Sequence, residues 1–473
     1  MSSEAAAAPM GLPGSFEDSD QPTRLESEEK SATGLRTPSS FSTYPRPQPR
    51  RPHTFLETER DPLIRSSFPG PRLNDPEVDR EPLHLSDQVH ILGSDIQGRY
   101  VTHALASCLA LPPVHFFMHR RDMVSLWHKG GRNLLLRNGD EEIAATRAYA
   151  EYVNRNPSER PTGRGEKRPK DRGPISHLIV TIPAASAVRS IYTILPRITS
   201  ETVVCFLQNG LGVAEAVNEA FFPNPADRPL YVLGHMTHTL APKLGEPFTV
   251  SEVSQGKLML TALGHNLGHS PIRYHPPIER NDRIAHFINL MATAPRLQAG
   301  GYSLEDMMIK KLKRLIVTSV LEPLTVVLNC NFETLFKNTY ANSMIDQLLG
   351  EILAVVARLP ELRGSTEIQS MIRRGDFRNH VYKRLVFFKN SNSRMQVQTM
   401  RGHQTDIDFL NGYFVIRGRE VGVRCPVNES VITMVKARHS AELARIQDSV
   451  SIEGEDLPAF PAMKNGSPRR GLL

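Results

Sequence analysis

The stretch ILGSDIQG, residues 91–98, has the residue types and spacing of a phosphate-cradling turn with one position changed. A G-x-G-x-x-G turn between a strand and a helix brings backbone amides and a helix N-terminus up to a dinucleotide's pyrophosphate, and its second glycine admits the close approach. Gly93 and Gly98 supply the outer glycines, and Asp95 stands where the middle one belongs. A carboxylate there opposes a phosphate by bulk and by charge. The expectation is a nucleotide fold that is kept while its cofactor is lost. Further on, TVVCFLQNG ends in Gln208, Asn209 and Gly210. That is a position at the carboxyl end of a strand, where open α/β sheets bind ligands.

Those residues need strands and helices to hold them. VHIL before the turn reads as a strand and RYVTHALASCLAL after it as a helix; HLIVTIP and TVVCFLQNG read as buried parallel strands with the helix AASAVRSIYTIL between them. PLYVLGHMTHTLA and KLMLTALGH each read as one more strand. Strand, helix and strand in this order predict a doubly wound α/β sheet of Rossmann type. From about Ser303 the apolar residues fall at helical spacing, so the second half is predicted to be mainly helical, with Pro323 kinking or dividing its first long segment.

The expected domains are a disordered region over 1–84, rich in Pro, Ser, Arg and Glu, a Rossmann-like domain over 85–300, a helical domain over 301–445 and a flexible tail over 446–473. The stretch 155–173 carries seven basic residues against three acidic ones. It reads as a solvated insertion, or as a handle for RNA or another polyanion that would be sequence-tolerant for want of aromatic residues. With 473 residues, 40% of them hydrophobic, and a net charge of +7, the chain has a globular composition with no window suited to a membrane span. Four scattered cysteines make no disulfide framework, which suits a reducing, intracellular compartment, cytoplasmic or mitochondrial. Glu4, Glu17, Asp18 and Asp20 give an acidic start that is unlike an organelle signal.

The order FLQNGLG, LEPLT and SRMQVQTMRGHQTDIDFLNGYFVIRGREVGVRCPVNESV, with T-D-I-D-x-x-N-G followed by G-V-x-x-P-x-N, resembles the ketopantoate reductases over residues 88–439. The resemblance implies a Rossmann-type domain followed by a helical domain of the 6-phosphogluconate-dehydrogenase kind. It also implies NADPH as cofactor, a small ketoacid as substrate and a homodimer. Carried over position by position, it places Arg314 at the proton-donating lysine, Thr318 and Glu322 at two asparagines of the substrate site, and Arg394 at the hydroxyl that holds the substrate carboxylate. Asp406 falls at the site glutamate, Pro183 at a lysine near the nicotinamide, Asn209 at a retained asparagine that contacts cofactor and substrate, and Arg120 near the ribose 2′-phosphate.

An arginine, with a pKa above about 12, stabilises an alkoxide but does not readily donate a proton. Lys310 and Lys311, four and three positions before Arg314, are the alternative acids, or else part of an ordinary solvated stripe. The losses at Asp95, Pro183, Arg314, Thr318, Glu322 and Arg394 point first to a catalytically degenerate member acting as a binding or assembly protein. An active NADPH-dependent ketoacid reductase and an RNA- or ribosome-associated protein stay open as the other readings.

Overall fold

The computed structural model describes residues 85–139, 141–153, 173–243, 245–264 and 282–450. The regions expected to be a disordered N-terminus, most of the basic insertion, and the tail from 451 onward lie outside them. Twelve strands are described: β1 (Val89–Leu92), β2 (Val114–Met118), β3 (Leu134–Asn138), β4 (Glu141–Ala145), β5 (Ala148–Tyr152), β6 (His177–Val180), β7 (Val203–Phe206), β8 (Leu230–Met236), β9 (Thr239–Pro242), β10 (Thr249–Ser254), β11 (Leu258–Leu263) and β12 (Ala299–Gly301). The helices of the first half are α1 (Ile96–Ala106), α2 (Arg121–Lys129), α3 (Ala184–Tyr192), α4 (Val213–Phe221) and α5 (Asp282–Ala292).

The main sheet has the order β12-β11-β8-β7-β6-β1-β2-β5. From β5 to β8 all neighbours are parallel, and β11 is antiparallel to β8. The chain builds outward from β1 to β2 and β5, then returns to β6 on the other side of β1, so the topological switch point lies between β1 and β6. Every residue of β1, β6 and β7 is buried, as expected for strands covered on both faces.

A second sheet, β4-β3-β10-β9, packs against α1, where the Tyr100 hydroxyl donates to Glu252 Oε1 at 2.5 Å. The stretch expected as one strand over PLYVLGHMTHTLA is two strands, β8 and β9, in different sheets. The break falls at Thr237–His238, where the chain passes Gly256 so closely that a Cβ there would lie 2.3 Å from the His238 nitrogen.

The second half holds α6 (Leu304–Val327), α7 (Phe332–Lys337), α8 (Thr339–Val356), α9 (Thr366–Arg374), α10 (Asp376–Phe387), α11 (Arg394–Met400), α12 (Asn411–Glu420) and α13 (Pro426–Val450). The last of these continues past the expected domain edge at 445. Helix α6 is the axis of the helical core, with Leu312, Leu315, Val320 and Leu324 fully buried.

Pro323 does not divide it: the 24 residues form one helix. A proline has no N–H for the carbonyl four residues earlier, and the carbonyl of Ser319 takes its hydrogen from Asn411 Nδ2 instead, at 2.8 Å. The same amide donates to Asn428 Oδ1 at 2.9 Å, and Asn428 Nδ2 donates to Glu351 Oε2 at 2.7 Å. Val427 and Asn428 both give their backbone N–H groups to Glu351 at 3.0 Å. Both asparagines belong to the C-terminal sequence pattern, and this network ties α6, α8, α12 and α13 together.

Candidate functional site

A cleft of about 390 Å³, counting its open mouth, lies at the carboxyl ends of β6, β7 and β8, against α6 and α11. Gln97, Thr181, Pro183, Gln208, Asn209, His235, Arg314, Arg394 and Asp406 line it. The structure therefore brings Asn209, Arg314, Arg394 and Asp406 together as the sequence reading expected. Gly93, Asp95 and Gly98 form the turn beside it.

Both outer glycines of that turn have a steric reason. Gly93 has φ +138°, and a Cβ on it would lie 2.2 Å from Thr181 Oγ1; a Cβ on Gly98 would lie 2.0 Å from the Gly93 carbonyl oxygen. Asp95 caps α1, its Oδ1 accepting the Gly98 N–H at 3.0 Å and the Thr181 hydroxyl at 2.5 Å. Burial raises the pKa of this carboxyl, while the bonds from Thr181 and Gly98 and the charge of Arg394 work in the opposite direction. One of the first-turn N–H donors of α1 is thus satisfied by the chain's own carboxylate.

A second helix start at the cleft is treated in the same way. Asp406 Oδ1 accepts the Ala185 N–H, in the first turn of α3, at 2.9 Å. Beside it the Leu211 N–H donates to the Phe409 carbonyl at 2.9 Å, and a Cβ on Gly210 would sit 2.7 Å from Phe409 Cβ. The QNGLG turn is thus bonded directly to the helical domain. Burial raises the Asp406 carboxyl too, with the Ala185 amide and Arg394 opposing.

The other expected site residues separate into several places. Arg314 donates to the Met236 carbonyl at 3.4 Å, and burial followed by the repulsion of Arg394 lowers its guanidinium to about 10. Asn209 Nδ2 donates to Thr318 Oγ1 at 3.1 Å, and Thr318 in turn donates to the Arg314 carbonyl at 3.0 Å. Glu322 is not itself a cleft-lining residue; it lies behind the lining at the start of α11, where its Oε2 accepts the Met395 N–H at 2.9 Å. Burial pushes it up to about 7, against the pull of that amide and of Arg394. Arg394 is exposed at the head of α11.

The two lysines need correcting most. Lys311 is not part of a solvated stripe: its side chain is fully buried, and Nζ donates to the carbonyls of Gln208 at 2.7 Å and Gly234 at 3.3 Å. Burial, with Arg314 nearby, lowers it to about 7. It is not among the cleft-lining residues, and it pins α6 to the ends of β7 and β8. Lys310 lines a neighbouring pocket instead. Arg120 is exposed at the start of α2 and its Nε bonds Asp122 Oδ1 at 3.1 Å, outside the cleft lining.

Sequence reasoning missed Thr181, whose hydroxyl fixes Asp95, and His235, which burial and then Lys311, Arg314 and Lys310 hold neutral, well below the usual histidine range. Position was the only available signal for either: both stand on or just after a strand of the main sheet. Gln208 is 3% exposed, and neither atom of its amide is bonded within the protein. Among the described residues no cluster of three or more metal-ligating side chains occurs, and no helix is long and apolar enough to cross a membrane.

A parallel sheet with a switch point beside a glycine turn, its strand ends facing a helical domain, defines the two-domain class of Rossmann-fold oxidoreductases. The profile of "Ketopantoate reductase PanE/ApbA" matches residues 89–264, and that of its C-terminal domain matches residues 306–439. The chain belongs to the ketopantoate reductase family.

A probable 2-dehydropantoate 2-reductase of Schizosaccharomyces pombe is 21% identical over 272 residues, 56% of this chain and 74% of its own length. The cytochrome B translational activator CBS2 of Saccharomyces cerevisiae is also 21% identical, over 291 residues, with the same two coverages. The crystal structure of a PanE/ApbA family ketopantoate reductase from Ralstonia eutropha JMP134 shares the fold, with a TM-score of 0.51 and 16% identity across 75% of this chain and 99% of that one.

Proposed function

We propose that this chain has kept the ketopantoate reductase fold and exchanged cofactor-dependent turnover for binding, acting as a binding or assembly protein. The observation that carries this reading is the Asp95 carboxylate at the start of α1, bonded to the Gly98 N–H and the Thr181 hydroxyl. A pyrophosphate brought to that turn would meet an anion in the seat that its own oxygens need. A few kilocalories of such repulsion weaken binding by roughly two powers of ten or more, at about 1.4 kcal/mol per factor of ten. The residues at this turn do not fit NADPH.

Other features agree with this reading. Arg314, at the position of the family's proton-donating lysine, is lowered only to about 10. Lys311, which has a more suitable pKa, gives its hydrogens to two carbonyls instead of lining the cleft. The relative CBS2 bears the name of a translational activator, so one similar chain is named for something other than a reductase.

The test is calorimetric titration of NADPH into the full chain and into Asp95→Gly. No heat from the wild type, with partial recovery in the variant, is the expected result. Micromolar binding by the wild type would overturn the reading and make a ketoacid reductase, with NADPH as cofactor, the better account.

The translational-activator relative favours a second reading, an RNA-associated role through the basic stretch 155–173. RNA affinity that falls steeply with salt and disappears when 155–173 is deleted would support it. Affinity unchanged by the deletion would remove it.

A further inference from the structure

Two neighbouring side-chain amides at the end of β7 leave three buried polar groups unmatched. Asn209 Nδ2 donates to Thr318 Oγ1 at 3.1 Å, and the Thr318 hydroxyl gives its own proton to the Arg314 carbonyl at 3.0 Å. That hydroxyl is left only as an acceptor, so the –NH2 side of the Asn209 amide must face it. The Oδ1 on the other side is buried and bonded to no group among the described residues. Gln208, the residue before it, is 3% exposed, and both its Oε1 and its Nε2 are unbonded in the same sense. Its backbone is held firmly, with the carbonyl accepting from Lys311 Nζ at 2.7 Å. Buried polar groups are ordinarily bonded, so three exceptions on two consecutive residues mark a place for an outside partner. Both residues line the cleft, and Ile182, Pro183, Leu207 and Met236 give it an apolar wall.

We infer that the cleft binds a small molecule that ends in a primary carboxamide and is otherwise apolar. The unmatched groups are two carbonyl acceptors, Gln208 Oε1 and Asn209 Oδ1, and one –NH2 donor, Gln208 Nε2. A primary carboxamide carries their complement on one planar group, with two N–H donors and one carbonyl acceptor. A carboxylate of the same shape has no N–H to give and would set its charge against both acceptors. The inference rests on the cleft being closed to NADPH, as proposed above, and adds the class of ligand that the site takes instead.

The experiment is ligand-observed NMR on the full chain with three matched probes: isovaleramide, isovalerate and N,N-dimethylisovaleramide. The primary amide is expected to saturate with a Kd of about 5 mM or below. The acid and the dimethylamide should bind at least roughly tenfold more weakly, since each leaves both acceptors unpaired. Gln208→Leu keeps the approximate size of the side chain and removes its polar atoms. It should weaken the primary amide by roughly tenfold or more, while the midpoint of urea unfolding stays unchanged or rises. Gln208→Met serves the same purpose if the branched side chain packs badly.

Equal binding of amide and acid overturns the inference, and so does tighter binding of the acid, which would assign the cleft to its arginines. Binding that survives both Gln208 variants overturns it too. Titration of NADPH keeps this failure apart from that of the proposed function. Where neither NADPH nor isovaleramide binds, only the carboxamide site is lost. NADPH binding that Gln208→Leu abolishes would give the amide to a cofactor and defeat both.

Discussion

At the start of α13, Glu351 accepts the N–H groups of Val427 and Asn428, each at 3.0 Å. At the start of α1, Asp95 accepts the N–H of Gly98 at the same distance, and at the start of α3, Asp406 accepts that of Ala185. The physics is common to all three: the first turn of a helix presents unbonded donors and a partial positive charge, which a carboxylate satisfies. The surroundings differ. The α13 site lies between helices and belongs to a network that joins four of them. The α1 and α3 sites lie beside or within a cleft at the strand ends, where the bonded donors stand next to open space. A single capping device thus serves both halves, joining helices in the one and bonding helix starts at the strand-end cleft in the other.

Substitutions can take this comparison apart. The largest loss is expected from Glu351→Ala, which strands two backbone donors and the Asn428 amide; roughly 2–4 kcal/mol of stability should disappear in urea unfolding. A loss below about 0.5 kcal/mol would mean that the network is ornamental.

Next comes Glu322, held near 7 by burial against an ordinary 4.5. Its folded pKa lies above its unfolded value, so its contribution is fully present below about pH 4.5 and fades as the pH rises through 7. Glu322→Gln should therefore flatten the stability profile between those limits, on the order of 1–3 kcal/mol, and a wild-type profile that is already flat there would contradict the assignment.

Asp406→Ala should cost about 1–2 kcal/mol and speed amide exchange at Ala185 and Leu211, because it unfastens the helical domain from α3. Unchanged exchange at both amides would show that Phe409 alone keeps the two joined. The smallest effect on stability belongs to Asp95→Gly, a few tenths of a kilocalorie. Its effect on anion affinity at α1 is expected to exceed its effect on folding, as calorimetry with NADPH would show.

Much of the fold was legible because it follows apolar periodicity. VHIL, HLIV and VVCF are short buried runs between helical segments, and they became the centre of the parallel sheet. Gly93 and Gly98 were readable from their spacing in the turn, although the clash that requires glycine at 93 is with Thr181, 88 positions away. The second sheet was not legible: LLLRN and EEIAA are short, partly exposed strands that pair with each other as a hairpin, and the strand that joins this hairpin to the rest of the sheet, β10, is distant in sequence. That α6 runs undivided through Pro323 was not legible, because the Asn411 amide that bonds the Ser319 carbonyl lies in no local window.

The cluster KKLKR reads as a wet surface, yet a lysine stem is long enough to carry Lys311's ammonium to two buried carbonyls. At the cleft, residue types could be aligned but their partners could not. The bond from Ala185 to Asp406 spans 221 positions, so the sequence does not show that the carboxylate at the site-glutamate position also bonds the first turn of α3.

The carbonyl that Pro323 leaves unbonded also has a consequence in time. Its donor, Asn411, is 92 residues further along the chain than Ser319. At ribosomal speeds of about 5–20 residues per second, the middle of α6 waits on the order of ten seconds for that amide to be made. Until then that carbonyl has no donor from Asn411, and the helix cannot be packed over without stranding it. During synthesis, the Rossmann half has its whole sequence available well before the helical half can close.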